Sequence, residues 1–386
     1  MSLSIYEGLT HQNIEKPTVR IMNEKLPREL ILEIFSRIPV KWLFQLRCVC
    51  KRWCNFIDDP CLPNMHLAQA TTREEALILV HWFHVRHRTS SLRLMKEHDR
   101  SPKAIVEFPN RGRYDLENSC HGLLCFVKCG KEEEAFVSNP LKGELLMLPR
   151  SIIMSRWAHL DRYGLGFDSS TKRYKIVRVF FRDFDWANQG YQLGAEVYTM
   201  GTTSSWREIS QVPCYPLYKK GAYANGALHW LVNHEFSPDD LKSMVISFDF
   251  RQEEFKSIPH QEFSSKVSKW FELVDLRGYL GMVDFSLAAH IEIWKLKDYE
   301  KKEWVREYRI DIKPPHGVSI NQYIEVVGLM GDGEILLERY KKLVAYNPKT
   351  NGLRCIQILN NDPDMDTPQV YVYTGSLVSI SGAIKS

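Results

Sequence analysis

Residues 26–63 read LPRELILEIFSRIPVKWLFQLRCVCKRWCNFIDDPCLP, and this stretch decides how the chain is organised. Pro27 suits the first turn of a helix, and Glu29 complements the positive end of that helix. Pro39 then stops the helix. Five apolar residues recur along it at helical spacing: Leu30, Ile31, Ile34, Phe35 and Ile38.

A second apolar stripe follows after a short break. Its members fall at helical spacing and predict one face of another helix: Leu46, Val49, Cys50, Trp53 and Ile57. Asp58-Asp59-Pro60 ends that helix. A unit of about 40 residues has a marginal core when it is isolated. We therefore expect its surplus apolar surface to be covered, either by the rest of the chain or by a second protein.

In this order, the residues resemble an F-box, the motif by which substrate receptors attach to the Skp-type adaptor of cullin ubiquitin ligases. The resemblance rests on Leu26-Pro27-x-x-Leu30, Ile34-Phe35-Ser36-Arg37-Ile38-Pro39-Val40-Lys41 and Arg47-Cys48-Val49-Cys50-Lys51-Arg52-Trp53. It implies a three-helix module at residues 23–65 that binds the adaptor and, through it, a cullin. By this resemblance nine residues would face the adaptor: Leu26, Pro27, Leu30, Ile34, Leu43, Leu46, Val49, Cys50 and Trp53. The alternative is a helical cap packed on its own domain.

The composition of the 386 residues is that of an ordinary globular protein, with 44% hydrophobic and 25% charged residues. No apolar run approaches the roughly 18 residues of a membrane span. Residues 1–22 are polar, lack the pattern of a secretory signal and predict a flexible lead. A net charge of +4 does not indicate nucleic acid. Nine cysteines without a secretory signal favour reduced thiols in the cytoplasm or nucleus, and we expect no membrane or nucleic-acid partner.

Two cysteine clusters raise the question of a zinc site. The four cysteines in residues 48–61 follow the spacing CxCx3Cx6C, which does not match the paired CxxC knuckles of structural zinc sites. In residues 120–129, strand alternation would place Cys125 and Cys129 on one face and Cys120 on the other. We therefore predict thiols packed in the core at the second cluster, and neither a metal nor a cofactor.

Beyond residue 70 the pattern changes to short alternating apolar runs bounded by Gly, Asn, Asp and Pro, which is typical of strands. The runs recur as a four-stranded unit about every 40–60 residues. Five copies occupy residues 119–149, 163–210, 221–260, 271–310 and 324–358. Four hairpin turns carry residues that accept positive φ: Asn225-Gly226, Arg277-Gly278, Asp332-Gly333 and Asn351-Gly352.

Four-stranded sheets repeated radially are the blades of a β-propeller. One leftover strand within residues 370–380 and three early strands at 75–83, 90–97 and 104–109 would together complete a sixth blade. Joining the two ends of the chain in one sheet would protect both edges. We therefore predict an all-β propeller at residues 71–386 with six blades, and seven blades as the alternative.

This region also resembles the F-box-associated, kelch-like domain of plant F-box proteins over most of residues 100–360. The resemblance rests on Ser119-Cys120-His121-Gly122-Leu123-Leu124, Ser138-Asn139-Pro140-Leu141, Gly164-Leu165-Gly166-Phe167-Asp168 with Tyr174-Lys175-Ile176-Val177, and Gly226-Ala227-Leu228-His229-Trp230. It implies a propeller that binds a target protein. Four tryptophans are expected to pack between blades: Trp206, Trp230, Trp294 and Trp304.

The connections between strands alternate between the two faces of such a ring. One set is mostly tight turns, whereas the other includes the long segments 150–162, 182–194, 233–243, 259–270, 311–323 and 359–369. Long loops on a rigid scaffold usually carry binding. Nine residues on that face are candidates to contact a target: Trp157, His159, Arg182, Asp185, Trp186, Tyr191, His234, Phe236 and His316. The alternative is that they are solvated or pack within their loops.

Together these patterns favour a substrate receptor of a Skp-cullin-F-box ubiquitin ligase, which holds a target for ubiquitination and performs no chemistry itself. The sequence contains no G-x-S-x-G elbow, no H-E-x-x-H and no P-loop, and we assign no catalytic residue. Two alternatives stay open. One is a propeller enzyme that acts on carbohydrate, with the helical segment as a structural cap. The other is an adaptor-bound scaffold that promotes no degradation.

Overall fold

The structure is a computed structural model that describes residues 26–69, 76–95, 104–108, 110–130, 134–185, 190–202, 204–233, 245–259, 270–287, 290–312, 324–339, 342–356, 364, 366 and 368–380. The chain divides into two compact units, Met1–Gln69 and Ala70–Ser386. The described part of the first unit is helical, and that of the second consists mostly of strands. The flexible lead predicted at residues 1–22 lies outside the described residues.

Four short α-helices form the part of the first unit that the structure describes, residues 26–69: α1 (Arg28–Ser36), α2 (Val40–Leu46), α3 (Lys51–Ile57) and α4 (Leu62–Gln69). As expected, Glu29 lies in the first turn of α1, and a proline stands immediately before both α1 and α2. The structure has four helices where three were expected. The stripe from Leu46 to Ile57 is divided between two of them, because Cys50 is extended, with φ −158°, between α2 and α3.

Apolar side chains from all four helices form the core of this unit. The buried members are Ile31, Leu32, Phe35, Val40, Leu43, Ile57 and Leu62. The rings of Phe35 and Trp53 meet edge to face, with centroids 5.6 Å apart. Polar contacts join the ends of the helices: Arg28 pairs with Asp59 at 2.5 Å, and Nε2 of His66 donates to the carbonyl oxygen of Ile38 at 3.0 Å.

Twenty-four strands in the described residues form six four-stranded antiparallel sheets, as predicted for six blades. Blade 1 is β4 (Tyr114–Cys120), β5 (Leu123–Lys128), β6 (Ala135–Asn139) and β7 (Glu144–Met147). Blade 2 is β8 (Arg162–Asp168), β9 (Arg173–Asp185), β10 (Gly190–Thr199) and β11 (Arg207–Ile209). Blade 3 is β12 (Leu217–Ala224), β13 (Ala227–Val232), β14 (Val245–Asp249) and β15 (Glu254–Ile258).

Blade 4 is β16 (Phe271–Leu276), β17 (Tyr279–Asp284), β18 (His290–Asp298) and β19 (Glu303–Asp311). Blade 5 is β20 (Ile324–Leu329), β21 (Ile335–Arg339), β22 (Lys342–Asn347) and β23 (Gly352–Ile356). Blade 6 joins β24 (Gln369–Tyr373) to β1 (Leu77–His84), β2 (Thr89–Met95) and β3 (Ala104–Glu107). The predicted closure is confirmed, because β24 pairs with β1 from Leu77 opposite Tyr373 to His81 opposite Gln369.

Neighbouring blades pack closely along the chain. Trp230 is fully buried and packs with Val177 and Val179 of blade 2, which confirms its predicted position between blades. A glycine is required at position 164, because a Cβ atom there would lie 1.9 Å from Cδ2 of Leu228 in blade 3. The predicted tight turn at Asn225-Gly226 has positive φ at both residues and joins β12 to β13.

The segment after β24 is attached to blade 1. The side-chain amide of Asn139, which is fully buried, donates to the carbonyl oxygens of Ser376 at 3.1 Å and Val378 at 2.7 Å. The backbone N–H of Ile380 donates to the Glu144 carboxylate at 2.5 Å. The C-terminal part of the chain is therefore attached at two places: β24 pairs with β1 in blade 6, and residues 376–380 bond to blade 1.

All nine cysteines are free thiols. Cys120 and Cys125 are buried in the core, as predicted, but Cys129 is exposed and its sulfur lies 3.0 Å from the Asp115 carboxylate. The alternation of β5 does not reach Cys129 because the strand ends at Lys128. Among the described helices, none is both long and apolar enough to cross a membrane.

Candidate functional sites

Helix α1 presents apolar side chains on two sides. Ile31, Leu32 and Phe35 point into the core of the helical unit, whereas Leu30 is 49% exposed and Ile34 is 38% exposed. Residues four apart on a helix lie on the same face, one turn from each other. Leu30 and Ile34 therefore form an apolar surface that the core of this unit does not use, which we call the α1 outer face.

The structure places the nine predicted adaptor-facing residues in three environments. The exposed ones are Pro27, Leu30, Ile34 and Val49, and the partly buried ones are Leu26, Leu46, Cys50 and Trp53. Leu43 is fully buried, so its side chain packs inside the unit and is not presented at the surface. Trp42, 44% exposed, is a large apolar side chain that the predicted stripes did not include.

On the propeller, the long segment 150–162 between blades 1 and 2 is held by a buried ion cluster. The Arg178 side chain on β9 is 0% exposed and pairs with Asp161 and Glu196, each at 2.8 Å. It also donates to the carbonyl oxygen of Ile153 at 3.1 Å. Burial opposes the charge of Arg178, but the surrounding negative groups outweigh that effect and its pKa is raised.

Further hydrogen bonds attach the same segment to blade 2. Ser151 donates to Glu196 at 2.9 Å, Ser155 donates to Asp161 at 2.6 Å, and the Arg156 N–H donates to the Phe181 carbonyl at 3.0 Å. The backbone between these anchors therefore has a defined orientation. Two large apolar side chains project from it: Ile152 is 94% exposed and Met154 is 82% exposed. We call residues 151–157 the braced segment.

The end of the braced segment packs on aromatic residues of blade 2. The ring centroid of Trp157 lies 5.8 Å from that of Phe181 and 6.1 Å from that of Tyr191. Phe184 lies 4.9 Å from Tyr191. Two predicted site residues, Trp157 and Tyr191, therefore belong to one aromatic cluster that supports the exposed side chains rather than standing alone in solvent.

The other predicted target-contact residues do not gather at one place. His159 is exposed beside the central channel, and Arg182 forms an ion pair with Glu208. Arg182, Asp185 and Tyr191 lie on strands, because β9 and β10 extend through most of the loop predicted at 182–194. Four residues lie outside the described residues: Trp186, His234, Phe236 and His316.

The innermost strands of the six blades, β4, β8, β12, β16, β20 and β24, enclose a central channel with a cavity of about 800 Å³. Its wall carries charged side chains of both signs: Arg113, Asp115, Glu117, Arg162, Lys219, Lys220, Glu272, Asp275, Arg277 and Glu325. Sequence reasoning missed this site. The signal was the run LYKKGAYA at 217–224, in which two adjacent lysines interrupt a strand that is otherwise mostly apolar.

The channel changes the ionisation of its carboxylates. Burial raises the pKa of Glu117 to about 7, although Arg162 partly offsets this effect. Burial also raises the pKa of Glu272, despite an ion pair to Lys219 at 2.6 Å. At Asp115 burial acts in the same direction, but hydrogen bonds from Cys129 and Gln369 outweigh it and the pKa is lowered.

Two family models match the chain. The F-box associated beta propeller domain matches residues 72–376, and the F-box-like model matches residues 24–62. Among curated proteins, "F-box protein At3g07870" of Arabidopsis thaliana is 29% identical over 84% of this chain and 86% of that protein. "F-box/kelch-repeat protein At3g23880" of Arabidopsis thaliana is 25% identical over 90% of this chain and 94% of that protein.

Proposed function

Because this chain belongs to the F-box proteins with an F-box associated β-propeller, we propose that it is the substrate receptor of a Skp-cullin-F-box ubiquitin ligase. The helical unit binds a Skp-type adaptor and, through it, a cullin, while the propeller binds a target protein in the cytoplasm or nucleus. The chain contributes no catalytic group. It raises the effective concentration of the target's lysines near a ubiquitin-charged enzyme.

The α1 outer face is the observation that carries this proposal. Leu30 and Ile34 are 49% and 38% exposed and adjoin each other on one face of α1, and adjoining exposed apolar side chains are typical of a surface that a partner covers. Covering the remaining exposed area of the two side chains contributes about 1 kcal/mol each, on the basis of about 1.5–3 kcal/mol for complete burial of such a residue. These side chains suit the apolar centre of a protein interface.

The test combines Leu30→Asp with Ile34→Asp in the full-length chain. An unpaired carboxylate buried in an apolar interface costs more than the 1.4 kcal/mol that corresponds to a tenfold change in affinity. We therefore expect adaptor binding to weaken by far more than tenfold, measured by pull-down and titration with a purified Skp-type adaptor. Asn64→Asp, which adds one negative charge at an exposed polar position of α4, serves as the control.

Thermal unfolding of each variant would show that the helical unit and the propeller remain folded. Adaptor binding that survives both substitutions on α1 would contradict the proposal. Loss of binding in the Asn64→Asp control to the same degree would show a charge effect that is not specific to the α1 outer face.

For the target, we propose the braced segment as the contact surface. Exposed apolar side chains on a backbone that is already ordered bind with a small loss of conformational entropy. Ile152 and Met154 have this arrangement, because Arg178, Ser151 and Ser155 hold the backbone between them. The aromatic cluster of Trp157 and Tyr191 supports the same segment from blade 2.

The corresponding experiment compares proteins captured under proteasome inhibition by the intact chain, by the variant of α1 and by an Ile152→Asp, Met154→Asp variant. The α1 variant should lose adaptor and cullin but keep the target, and the second variant should show the reverse. The target's half-life should lengthen in cells that express either variant. If the target's half-life is unchanged with both variants, the result favours an adaptor-bound scaffold that promotes no degradation. If the Ile152→Asp, Met154→Asp variant still captures the target, the braced segment is rejected as the target contact.

A further inference from the structure

The charges of the central channel have an asymmetric arrangement around the ring. Blades 2 and 3 contribute the cations Arg162, Lys219 and Lys220, whereas blades 4 and 5 contribute the carboxylates Glu272 and Glu325. Blade 1 adds a carboxylate at Glu117, and blade 6 contributes the neutral Gln369 at its entrance. The other charged residues of the wall are engaged in contacts of their own: Arg113 pairs with Asp366, Asp115 accepts from Cys129 and Gln369, Asp275 accepts from the Gly278 N–H, and Arg277 donates to the carbonyl oxygens of Met330 and Gly331. Of the remaining charges, the cations lie on blades 2 and 3 and the carboxylates on blades 1, 4 and 5.

The two lysines reach the channel through an irregularity in β12. The register between β12 and β13 shifts between Tyr218 and Ala222, which marks a β-bulge. Lys219 has φ +59°, and of the nine non-glycine residues with positive φ in the described structure it alone lies within a strand, since the others lie in turns. No hairpin requires this conformation. Strained backbone that local folding does not require is characteristic of functional sites.

The bulge directs the lysines to different blades. Lys219 reaches blade 4 and pairs with Glu272 at 2.6 Å. The Lys220 ammonium lies 5.2 Å from the ring centroid of Tyr371 on β24, in blade 6, which is opposite blade 3 in the ring. Lys220 thus extends across the channel, and its position there is fixed by an aromatic ring rather than by a carboxylate.

Several charges in the channel have no counter-ion. Among the described residues, Lys220 and Arg162 have no carboxylate within 4.0 Å, and neither Glu117 nor Glu325 has a cation within that distance. Within the described part of the chain, the Glu117 carboxylate accepts one hydrogen bond, a weak one from the Tyr163 N–H at 3.4 Å. The Nε atom of Arg162 is buried without a hydrogen-bond partner in the described structure. Among the described residues of the wall, Asp275 and Arg277 likewise have no ion pair, but both make short hydrogen bonds to backbone groups, at 2.6 Å for Asp275 and at 2.6 and 2.7 Å for Arg277. Lys220, Arg162, Glu117 and Glu325 are therefore the charges that a ligand would pair with.

We propose that the central channel is a binding site for a small zwitterion, a molecule of the amino-acid or short-peptide class that carries both a carboxylate and an ammonium group. Its carboxylate binds Lys220 and Arg162, and its ammonium binds Glu117 or Glu325. A purely anionic ligand would meet the unpaired carboxylates, and a purely cationic one would meet Lys220 and Arg162. The cavity volume lies within the range of small-molecule sites, about 300–1,000 Å³.

The test uses the full-length chain without adaptor, so it is independent of ubiquitin-ligase assembly. The probes are the twenty free L-amino acids and trialanine, compared with trialanine acetylated at its N-terminus, amidated at its C-terminus, or blocked at both ends. Saturation-transfer NMR detects binding, and titration calorimetry measures it. We expect at least one compound with both free groups to bind, and each blocked form of a bound peptide to bind at least tenfold more weakly.

Lys220→Met, which removes the ammonium and keeps much of the side-chain length, should abolish binding. Glu117→Gln, which keeps the shape of the side chain, should weaken it and serves if the first variant fails to fold. Lys301→Met is the matched control, because that lysine side chain is 78% exposed on a turn of blade 4. The proposal fails if no probe with both free groups binds with a Kd below about 1 mM. It also fails if Lys220→Met and Glu117→Gln both bind like the native chain, or if singly charged anions bind equally well.

Discussion

Replacing Arg178 with methionine should destabilise the propeller strongly, because this one guanidinium forms ion pairs with two buried carboxylates. The side chains of Asp161 and Glu196 are 2% and 1% exposed, and the Arg178 side chain is 0% exposed. Methionine fills much of the same volume, so the substitution removes charge and hydrogen bonds with little change in packing. Both carboxylates would then lose their ion pair with Arg178 while remaining in the protein interior.

Removing one partner of a buried ion pair lowers the free energy of unfolding by about 3–5 kcal/mol. We expect a loss of this size for Arg178→Met. A domain of roughly 300 residues has an unfolding entropy of about 0.6–0.7 kcal/mol per kelvin near 60 °C. The melting temperature of the propeller should therefore fall by about 5–8 °C. Adding Asp161→Asn and Glu196→Gln to Arg178→Met should recover part of this loss, because no uncompensated charge then remains buried.

Differential scanning calorimetry or circular dichroism at pH 7 measures the change. Arg182→Met is the matched control: Arg182 lies on the same strand, and its ion pair with Glu208 is at the surface, with side chains 38% and 50% exposed. That pair should contribute less than about 1 kcal/mol. Trypsin should also cleave the Arg178→Met variant faster after Arg156, since the braced segment loses its anchor. Equal melting temperatures for the two single variants would refute the reasoning.

Two further predictions concern the two sides of blade 3: His229 faces Tyr299 of blade 4, and Gly164 of blade 2 packs against Leu228. His229 is fully buried and neutral, its Nδ1–H donates to the Ala222 carbonyl, and burial lowers its pKa to about 4. Stability should be complete above about pH 6.5 and should fall by up to about 3 kcal/mol as the pH drops towards 4. His229→Gln should lose less in denaturant titrations across that interval, and an equal slope would contradict the assignment. Gly164→Ala should cost about 1–3 kcal/mol, because its Cβ overlaps Leu228, whereas Gly352→Ala, whose Cβ would meet only the Thr350 side chain at 3.1 Å, should cost less; equal losses in chemical denaturation would contradict this.

The sequence was sufficient to predict the repeated architecture. Period-2 alternation marks each strand, and residues such as Asn225-Gly226 determine where a hairpin turns. After five blades were assigned, one strand remained at the C-terminal end and three remained after the helical unit. The structure joins these four strands in blade 6, where β24 pairs with β1. These features depend on local chemistry and on the rule that sheet edges are covered, so neither requires knowledge of tertiary contacts.

Features that depend on tertiary contacts could not be predicted in this way. Helical spacing of apolar residues does not distinguish a residue that faces the core from one that faces a partner. The packing of the helices shows that Leu43 is buried. The extension of β9 and β10 depends on their pairing beyond Phe181, which continues to Asp185 opposite Gly190. The bulge at Lys219 depends on the register of β12 against β13, and the convergence of channel charges depends on all six blades.

Closing the ring through blade 6 has a consequence for biosynthesis. The strands β1 and β24 are separated by roughly 300 residues in sequence, so their pairing is a contact of very long range, and such contacts form slowly. On the ribosome, β1 to β3 emerge early and present an unpaired strand edge until the last residues have been synthesised. Translation that stops before Gln369 would release a chain with most of its blades and an open, aggregation-prone edge. Blade 6, the first sheet of the propeller to begin synthesis, is therefore the last to be completed.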